Sequence, residues 1–246
     1  MDEVSARQLS ALCHDLHARG WVANHDGNVS VRLDGGRWLA SPTAVSKRDV
    51  RPETLVEVDG EGKVVAGSRR VFSEMALHLA VYSARPDVRW VVHAHPPYAT
   101  AWAAVGESFW DAPFLAEAVV SLGERVPLVP YVAPGGSTGG LAHHVEAADA
   151  VLLGNHGVLT VGPDAETAFL RMELVEHLAR IASLARPLGG ARPLPAEDVA
   201  KLLEARKKAG LGPSGRRDAP AAVAPEAAGG RADVDALVRE ALRRLG

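Results

Sequence analysis

The segment Trp90-Val91-Val92-His93-Ala94-His95-Pro96 is an apolar run that ends in two histidines and a proline. We predict a buried strand over Val88–His95. Because side chains alternate along a strand, His93 and His95 point to the same face. Pro96 and the proline after it end the strand, so the pair lies at a rim that a substrate can reach. Such a pair is compatible with one bound cation, and equally with two polar residues at a strand terminus.

A third histidine favours a metal site over two polar residues at a strand terminus. Leu153-Gly154-Asn155-His156-Gly157-Val158 interrupts an apolar strand, predicted over Val151–Val161, with a polar dipeptide between glycines. Glycine permits close approach of another backbone or unusual dihedral angles. Three neutral imidazoles with an open fourth position are typical of a catalytic Zn²⁺ site, and imidazole also suits other divalent transition metals.

Glu74 is the fourth candidate in this constellation. It lies at the start of a helix predicted over Ser73–Ser83, with Ser73 as the N-cap. The helix macrodipole favours a negative charge there, so a glutamate at this place is usually a capping aid. Beside a metal it becomes a candidate ligand, general base or both.

The segments around these motifs predict a mainly antiparallel sheet with helices on its faces. Two strand–turn–strand patterns, Asn28–Ala40 and Leu55–Ala66, follow one another and favour hairpins over a βαβ ladder. The other elements expected are helices at 4–19, Tyr98–Val105, Ala165–Leu184 and Pro195–Lys208, a strand at Val126–Val132 and a loop at Gly135–Gly140.

Composition limits the classes of partner. The chain has 246 residues, a formal net charge of −3 and a single cysteine, Cys13. This balance favours neither nucleic acid nor a membrane as a partner, and without an apolar leader or spanning run we expect a cytoplasmic protein. We expect one domain over residues 1–210, a Pro/Gly/Ala-rich flexible linker over 211–232 and a short helix over 233–246.

Taken in order, these motifs resemble the class II aldolase/adducin family, which includes the L-fuculose-1-phosphate and L-rhamnulose-1-phosphate aldolases. The resemblance covers about residues 4–210. The matching segments are Gly27-Asn28-Val29-Ser30, Ser41-Pro42-Thr43, Ser73-Glu74 with His78, Ala84-Arg85-Pro86-Asp87, Val92-His93-Ala94-His95 and Asn155-His156-Gly157.

The resemblance implies an α/β fold, a three-layer α/β/α sandwich around a central mixed, largely antiparallel sheet. It also implies a homotetramer with active sites between subunits. Zinc would be held by His93, His95 and His156, with Glu74 as a fourth ligand that substrate displaces and that then acts as the acid/base.

The activity implied is reversible aldol cleavage of a ketose phosphate or related hydroxy-ketone through a metal-stabilised enediolate. The substrate phosphate would meet Gly27, Asn28, Thr43 and Ser73, the last at a helix N-terminus.

The chain departs from the fuculose-phosphate aldolases around the substrate. Phe72 stands where those enzymes have the first of two serines, and Ala44 stands where they have glycine. Their catalytic tyrosine has no counterpart near Leu115, where Glu117 is the nearest ionisable residue and a second catalytic candidate. Their C-terminal tyrosine corresponds to Ala209. The resemblance therefore predicts the metal centre and leaves the substrate open.

Other reactions occur within the same family. Relatives include decarboxylases of sugar-acid phosphates and a dehydratase of methylthioribulose phosphate, for which Glu117 would be a second acid/base. Pentulose-phosphate epimerases usually have Asp at the position of Glu74, which disfavours that reaction here. Adducin-like members are not catalytic and lack the metal histidines, all of which this chain has.

Overall fold

The computed structural model describes residues 2–131 and 139–213. The helices there are α1 (Glu3–Ala18), α2 (Met75–Ala84), α3 (Pro97–Val105), α4 (Ala116–Leu122), α5 (Gly139–Ala147), α6 (Ala165–Ala185) and α7 (Ala196–Lys208). The strands are β1 (Asn28–Leu33), β2 (Arg37–Ala40), β3 (Val56–Val58), β4 (Val64–Ala66), β5 (Trp90–Ala94), β6 (Leu128–Val129), β7 (Ala150–Leu153) and β8 (Gly157–Gly162). Short 3-10 helices lie at Lys47–Asp49, Pro52–Thr54 and Arg186–Leu188.

All of these strands belong to one sheet, in the order β4-β3-β2-β1-β5-β8-β7-β6. Neighbouring strands are antiparallel except for β6 and β7, which are parallel. The predicted mixed, largely antiparallel sheet is therefore confirmed. The histidine-bearing strand β5 lies in the interior of the sheet, between β1 and β8.

Side chains alternate between the two faces of the sheet along β5, so successive residues contribute to two different hydrophobic cores. Trp90, Val92 and Ala94 belong to a core shared with α1, α3, α4, α6 and α7. Val91 belongs to a second core, shared with α2 and α5. Helices thus cover both faces of the sheet, which gives the expected three layers. By the same alternation, His93 lies on the face of Val91, where α2 packs.

Local sequence accounts for the starts of two of the helices that flank the first core. The Asp2 side chain caps α1 by accepting hydrogen bonds from the backbone N–H groups of Val4 and Ser5. Asp164 caps α6 in the same way through the N–H of Thr167. The buried residues of α1 recur every three or four positions, as an amphipathic helix requires.

A buried ion cluster joins the helices to the sheet. Asp149, immediately before β7, has a fully buried side chain. It pairs with Arg85 at the end of α2 at 2.9 Å, and with Arg171 of α6 and Arg206 of α7 at 2.6 Å each. Burial opposes its charge, but the three arginines hold the pKa of Asp149 below its usual value.

Several element boundaries differ from the sequence prediction. The single strand expected over Val151–Val161 is two strands, β7 and β8, joined by a turn that contains His156. The strand expected over Val126–Val132 is reduced to Leu128–Val129, and Val132 lies outside the described residues. Ser73 is not the cap of α2, because Glu74 occupies that position without a side-chain capping bond.

Two helices were not predicted. Helix α4 follows Leu115, and α5 begins at Gly139, inside the segment expected to be a loop. The greater part of the expected linker and the whole of the expected C-terminal helix, residues 214–246, lie outside the described part of the chain. None of the described helices combines the length and apolar character needed to cross a membrane.

Candidate metal centre

The end of β5 presents the first two histidines. His93 is buried, and its Nδ1 lies 2.9 Å from the carbonyl oxygen of Val158 on the neighbouring strand β8. A proton on Nδ1 satisfies that carbonyl and leaves the lone pair of Nε2 directed away from it. His95 lies one residue beyond β5, where its backbone N–H donates to the carbonyl of Trp21 at 2.8 Å.

The turn between β7 and β8 presents the third histidine. Asn155 has a left-handed backbone with φ of 54°, which reverses the chain immediately before His156. Gly157 follows because the turn lies against the end of β5. A Cβ atom at Gly157 would come within 2.6 Å of both the carbonyl oxygen of Ala94 and Cδ2 of His95. Close packing between this turn and the end of β5 therefore requires a glycine at position 157.

The three imidazoles meet as the sequence predicts. Nε2 of His95 lies 3.1 Å from Nε2 of His93. One nitrogen of each of His93, His95 and His156 lies within 4.8 Å of the others. The end of strand β5 contributes His93 and His95, and the β7–β8 turn contributes His156. The three side chains form one compact group of nitrogen donors.

Glu74 faces this group from the start of α2. Its Oε1 lies 2.9 Å from Nε2 of His156, and its Oε2 lies 3.6 Å from Nε2 of His93. Asn28, at the start of β1, donates from Nδ2 to Oε2 of Glu74 at 2.6 Å. Asn28 is the register partner of His93 in the sheet, so the β1–β5 pairing brings it to the site.

The surroundings of Glu74 and of the three histidines shift their pKa values in different directions. Burial opposes a charge on Glu74, but the hydrogen bond with His156 and the proximity of His93 and Asn28 hold the pKa of this carboxyl well below its usual range. Burial lowers the pKa of His93 to about 3. Burial and the neighbouring His156 lower the pKa of His95, whereas the hydrogen bond with Glu74 raises the pKa of His156. A carboxylate therefore faces two neutral imidazoles, whose lone pairs are available.

A cavity of about 190 Å³ opens over Glu74, His95 and His156. All four residues predicted to bind the substrate phosphate contribute to its wall. The full lining is His25, Asp26, Gly27, Asn28, Pro42, Thr43, Lys47, Phe72, Ser73, Glu74, His95 and His156. Glu117 lies exposed on α4 and does not line this cavity, so its catalytic role stays a prediction.

The sequence motifs omit two charged residues of this cavity. Asp26 lies 3.6 Å from Nδ1 of His95, and Lys47 is buried, with Nζ donating to the carbonyl of His25 at 3.0 Å. The position of Asp26 directly before Gly27-Asn28 was the available signal. No local signal marks Lys47, because an exposed and a buried lysine look alike in sequence.

A buried polar chain lies under the site. Ser30 Oγ lies 2.7 Å from Nδ1 of His78 and 2.8 Å from the hydroxyl of Tyr82. Burial lowers the pKa of His78 to about 3, so this imidazole stays neutral. His78, which belongs to one of the segments that match the family, therefore joins α2 to β1 through its contact with Ser30.

The donor set fits a divalent transition ion. Three imidazoles and one carboxylate are the ligands that Zn²⁺ accepts in catalytic sites. The contact of His93 with the Val158 carbonyl fixes the ring in the way usual for a metal-bound histidine. His93, His95 and His156, with Glu74 beside them, are the residues that would hold the ion.

Comparison with known proteins agrees with this geometry. The family model for the Class II Aldolase and Adducin N-terminal domain matches residues 7–183. A 5-deoxy-D-ribulose 1-phosphate aldolase from Bacillus thuringiensis is 31% identical over 213 residues, covering 83% of this chain and 95% of the relative. A 3-oxo-tetronate 4-phosphate decarboxylase from Pectobacterium atrosepticum is 34% identical over 191 residues, covering 75% and 85% respectively.

A solved structure also matches. An L-fuculose 1-phosphate aldolase superposes with a TM-score of 0.77 at 28% identity, covering 83% of this chain and 96% of that chain. The family model, the relatives and the shared fold agree on the family of this chain. The chain therefore belongs to the class II aldolase/adducin family.

Proposed function

We propose that this enzyme is a zinc-dependent aldehyde-lyase that reversibly cleaves a ketose phosphate, or a related hydroxy-ketone, by aldol chemistry. The observation that carries the proposal is the convergence of three histidine nitrogens within 4.8 Å, with the Glu74 carboxylate 2.9 Å from one of them. The similarity to the aldolases from Bacillus thuringiensis and other sources supports the reaction type.

Aldol cleavage leaves negative charge on the oxygen atoms of the ketose-derived fragment, and a divalent cation at this site would supply the Lewis acid that stabilises it. His93, His95 and His156 would hold that cation through ring nitrogens. Because His93 and His95 are already neutral, they bind without first losing a proton.

Glu74 is the residue that moves the proton. An oxygen of its carboxylate takes a proton from the reacting carbon in one direction and returns it in the other. The hydrogen bonds from Asn28 and His156 keep Glu74 ionised. The bond with His156 requires a proton on Nε2 of that ring, and this proton would have to leave before the same nitrogen could bind an ion.

The substrate phosphate would lie in the same cavity. Gly27, Thr43 and Ser73 supply backbone N–H and hydroxyl donors in its wall. Oδ1 of Asn28 is buried and has no hydrogen-bond partner among the described residues, which leaves it to accept from a substrate hydroxyl. Lys47 adds a positive charge to the same wall.

The proposal extends to the assembly and the domains. The family resemblance implies a homotetramer with active sites between subunits, and we propose this assembly, in the cytoplasm. Glu117 is exposed and does not line the cavity of its own chain, so it would act at a site only if a neighbouring subunit presented it. We retain a family domain over residues 1–210, followed by a linker over 211–232 and a short helix over 233–246.

A decarboxylase is the second candidate. The observation that favours it is the 34% identity to a 3-oxo-tetronate 4-phosphate decarboxylase. Decarboxylation also leaves negative charge on a carbonyl oxygen, which the same Lewis acid would stabilise. Dehydration of a phosphorylated ketose is the further alternative, and it needs the second acid/base that Glu117 would supply.

The deciding experiment combines metal analysis with product analysis. We expect about one zinc ion per chain in the purified protein, lost in His93→Ala. Ketose phosphates should then release an aldehyde, EDTA should stop the release, and added Zn²⁺ should restore it. Release that EDTA leaves unchanged would contradict metal dependence. Release of CO₂ from a sugar-acid phosphate, or loss of water without carbon-chain cleavage, would replace the aldolase proposal with one of its alternatives.

A further inference from the structure

Asp26 stands beside the metal centre although no motif includes it. Its Oδ2 lies 3.6 Å from Nδ1 of His95. The other ring nitrogen of His95, Nε2, faces the cluster and lies 3.1 Å from Nε2 of His93. The imidazole of His95 thus lies between the carboxylate of Asp26 and the position proposed for the ion.

We propose that Asp26 is a positioning residue that sets the tautomer and the orientation of His95 for metal binding, an inference that rests on the proposed metal dependence. An imidazole that gives its Nε2 lone pair to a cation carries its proton on Nδ1. The carboxylate of Asp26 accepts a hydrogen bond from that Nδ1–H. This bond fixes the ring and makes Nε2 a stronger donor to the ion.

The distance is compatible with this role. A separation of 3.6 Å is slightly longer than a hydrogen bond, and a movement of about 0.7 Å brings the atoms to hydrogen-bond length. The Asp26 side chain is 46% exposed, so solvent leaves it room for that movement. His95 is 24% exposed and is held by its backbone bond to Trp21.

The backbone around Asp26 is fixed from two directions. The buried ammonium of Lys47 donates to the carbonyl of His25, the residue before Asp26. The N–H of Asp26 itself donates to the carbonyl of Ala23 at 2.9 Å. These bonds hold the turn in one conformation, so the carboxylate is presented to His95 at little entropic cost.

Gly27, the residue after Asp26, packs the turn directly against strand β5. It has φ of 70°, and a Cβ there would lie 2.5 Å from Cγ1 of Val22 and 3.0 Å from the carbonyl oxygen of His93. The turn that carries Asp26 is therefore in contact with the backbone of β5. Its position relative to His95 is set by the same packing that forms the site.

The two histidines of β5 are thus oriented by different partners. His93 uses a neutral backbone carbonyl, that of Val158. For Nδ1 of His95, Asp26 is the partner found among the described residues. A carboxylate strengthens the donor nitrogen more than a carbonyl does, because its full negative charge stabilises the Nδ1 proton.

The test measures the affinity of the full chain for Zn²⁺ alone, by competition with a chelating indicator. Asp26→Ala should weaken zinc binding about 10- to 100-fold. Asp34→Ala removes the same charge from an exposed hairpin turn and should change the affinity less than about twofold. Asp26→Asn keeps an acceptor oxygen without the charge, so its affinity should lie between those of Asp26→Ala and the unsubstituted protein.

A second measurement does not depend on any variant folding. Nitrogen-15 NMR of the zinc-loaded, unsubstituted protein should show His95 with its proton on Nδ1 and the metal on Nε2. Zinc bound to Nδ1 would overturn the proposal, as would unchanged affinity in a folded Asp26→Ala variant. If the unsubstituted protein bound no zinc, the proposed function would fail together with this inference. Tight zinc binding that is insensitive to Asp26 would remove the positioning role alone.

Discussion

Asn28 donates a 2.6 Å hydrogen bond from Nδ2 to Oε2 of Glu74. The family resemblance assigns Asn28 to the substrate phosphate, whereas the structure shows that it also holds the proposed acid/base. The two residues are 46 positions apart in the sequence. They meet because β1 pairs with β5, and α2 packs on the face of the sheet where His93 lies. Asn28 thus connects the substrate subsite to the proton-transfer residue.

Asn28→Ala should lower kcat about 10- to 100-fold, since a hydrogen bond to a charged group contributes about 1.5–3 kcal/mol. Asn28→Asp should lower it further, because a second carboxylate would face Glu74. Steady-state kinetics on the cleaved substrate measures both effects, with metal content determined on the same samples. Full activity in a metal-loaded Asn28→Ala would show that Glu74 does not need this partner.

Gly157→Ala should remove most of the bound metal. The added Cβ would come within 2.6 Å of a backbone oxygen, so the turn must move away from β5 and carry His156 with it. The strain costs about 1–3 kcal/mol if the fold survives. Gly60→Ala is the matched control, because a Cβ there meets only the ring of Trp38 at 3.9 Å. Elemental analysis compares the two variants, and normal metal content in Gly157→Ala would contradict the close packing.

Thr43→Val should raise KM for a phosphorylated substrate about tenfold or more with little change in kcat, because it removes a hydroxyl donor from the proposed phosphate subsite. Inorganic phosphate should also inhibit this variant less strongly. Ser46→Ala is the control, since Ser46 lies nearby and does not line the cavity. Equal inhibition of both variants by phosphate would place the anion elsewhere.

Asp149 should make the fold sensitive to acid. The pKa of its carboxyl is lowered in the folded state, so its contribution is complete above the unfolded value of 3.8 and is lost as the pH falls through the folded value. The free energy of unfolding, from urea titrations, should therefore decrease below about pH 4. Asp149→Asn should cost about 3–5 kcal/mol at pH 7, because it leaves three buried arginines without their common partner, and should flatten this part of the profile.

Asp34→Asn is the control for the acid profile, because Asp34 is exposed in the turn between β1 and β2. It should leave both the stability at pH 7 and the pH dependence nearly unchanged. An unchanged profile in Asp149→Asn would assign the acid sensitivity to other groups.

Features that depend on adjacent residues could be predicted from the sequence. The spacing of His93 and His95 fixes a common face, because side chains alternate along any strand. The glycines around His156 indicate a close approach of two backbones, because glycine is the residue that lacks a Cβ. The hairpin signals and the order of the motifs were sufficient for the mixed sheet and the family, both of which are confirmed.

Which distant residues meet depends on the packing of the folded chain and could not be predicted. The sequence predicts one strand over Val151–Val161, but the left-handed backbone of Asn155 divides it and turns His156 toward the end of β5. The buried ammonium of Lys47 and the pairing of Asp149 with three arginines carry no local signal, and the position of Asp26 before Gly27-Asn28 does not indicate that its carboxylate lies beside His95. Burial and pairing of such groups depend on how remote segments pack, because a charged side chain is stable in the interior only beside a partner that the fold supplies.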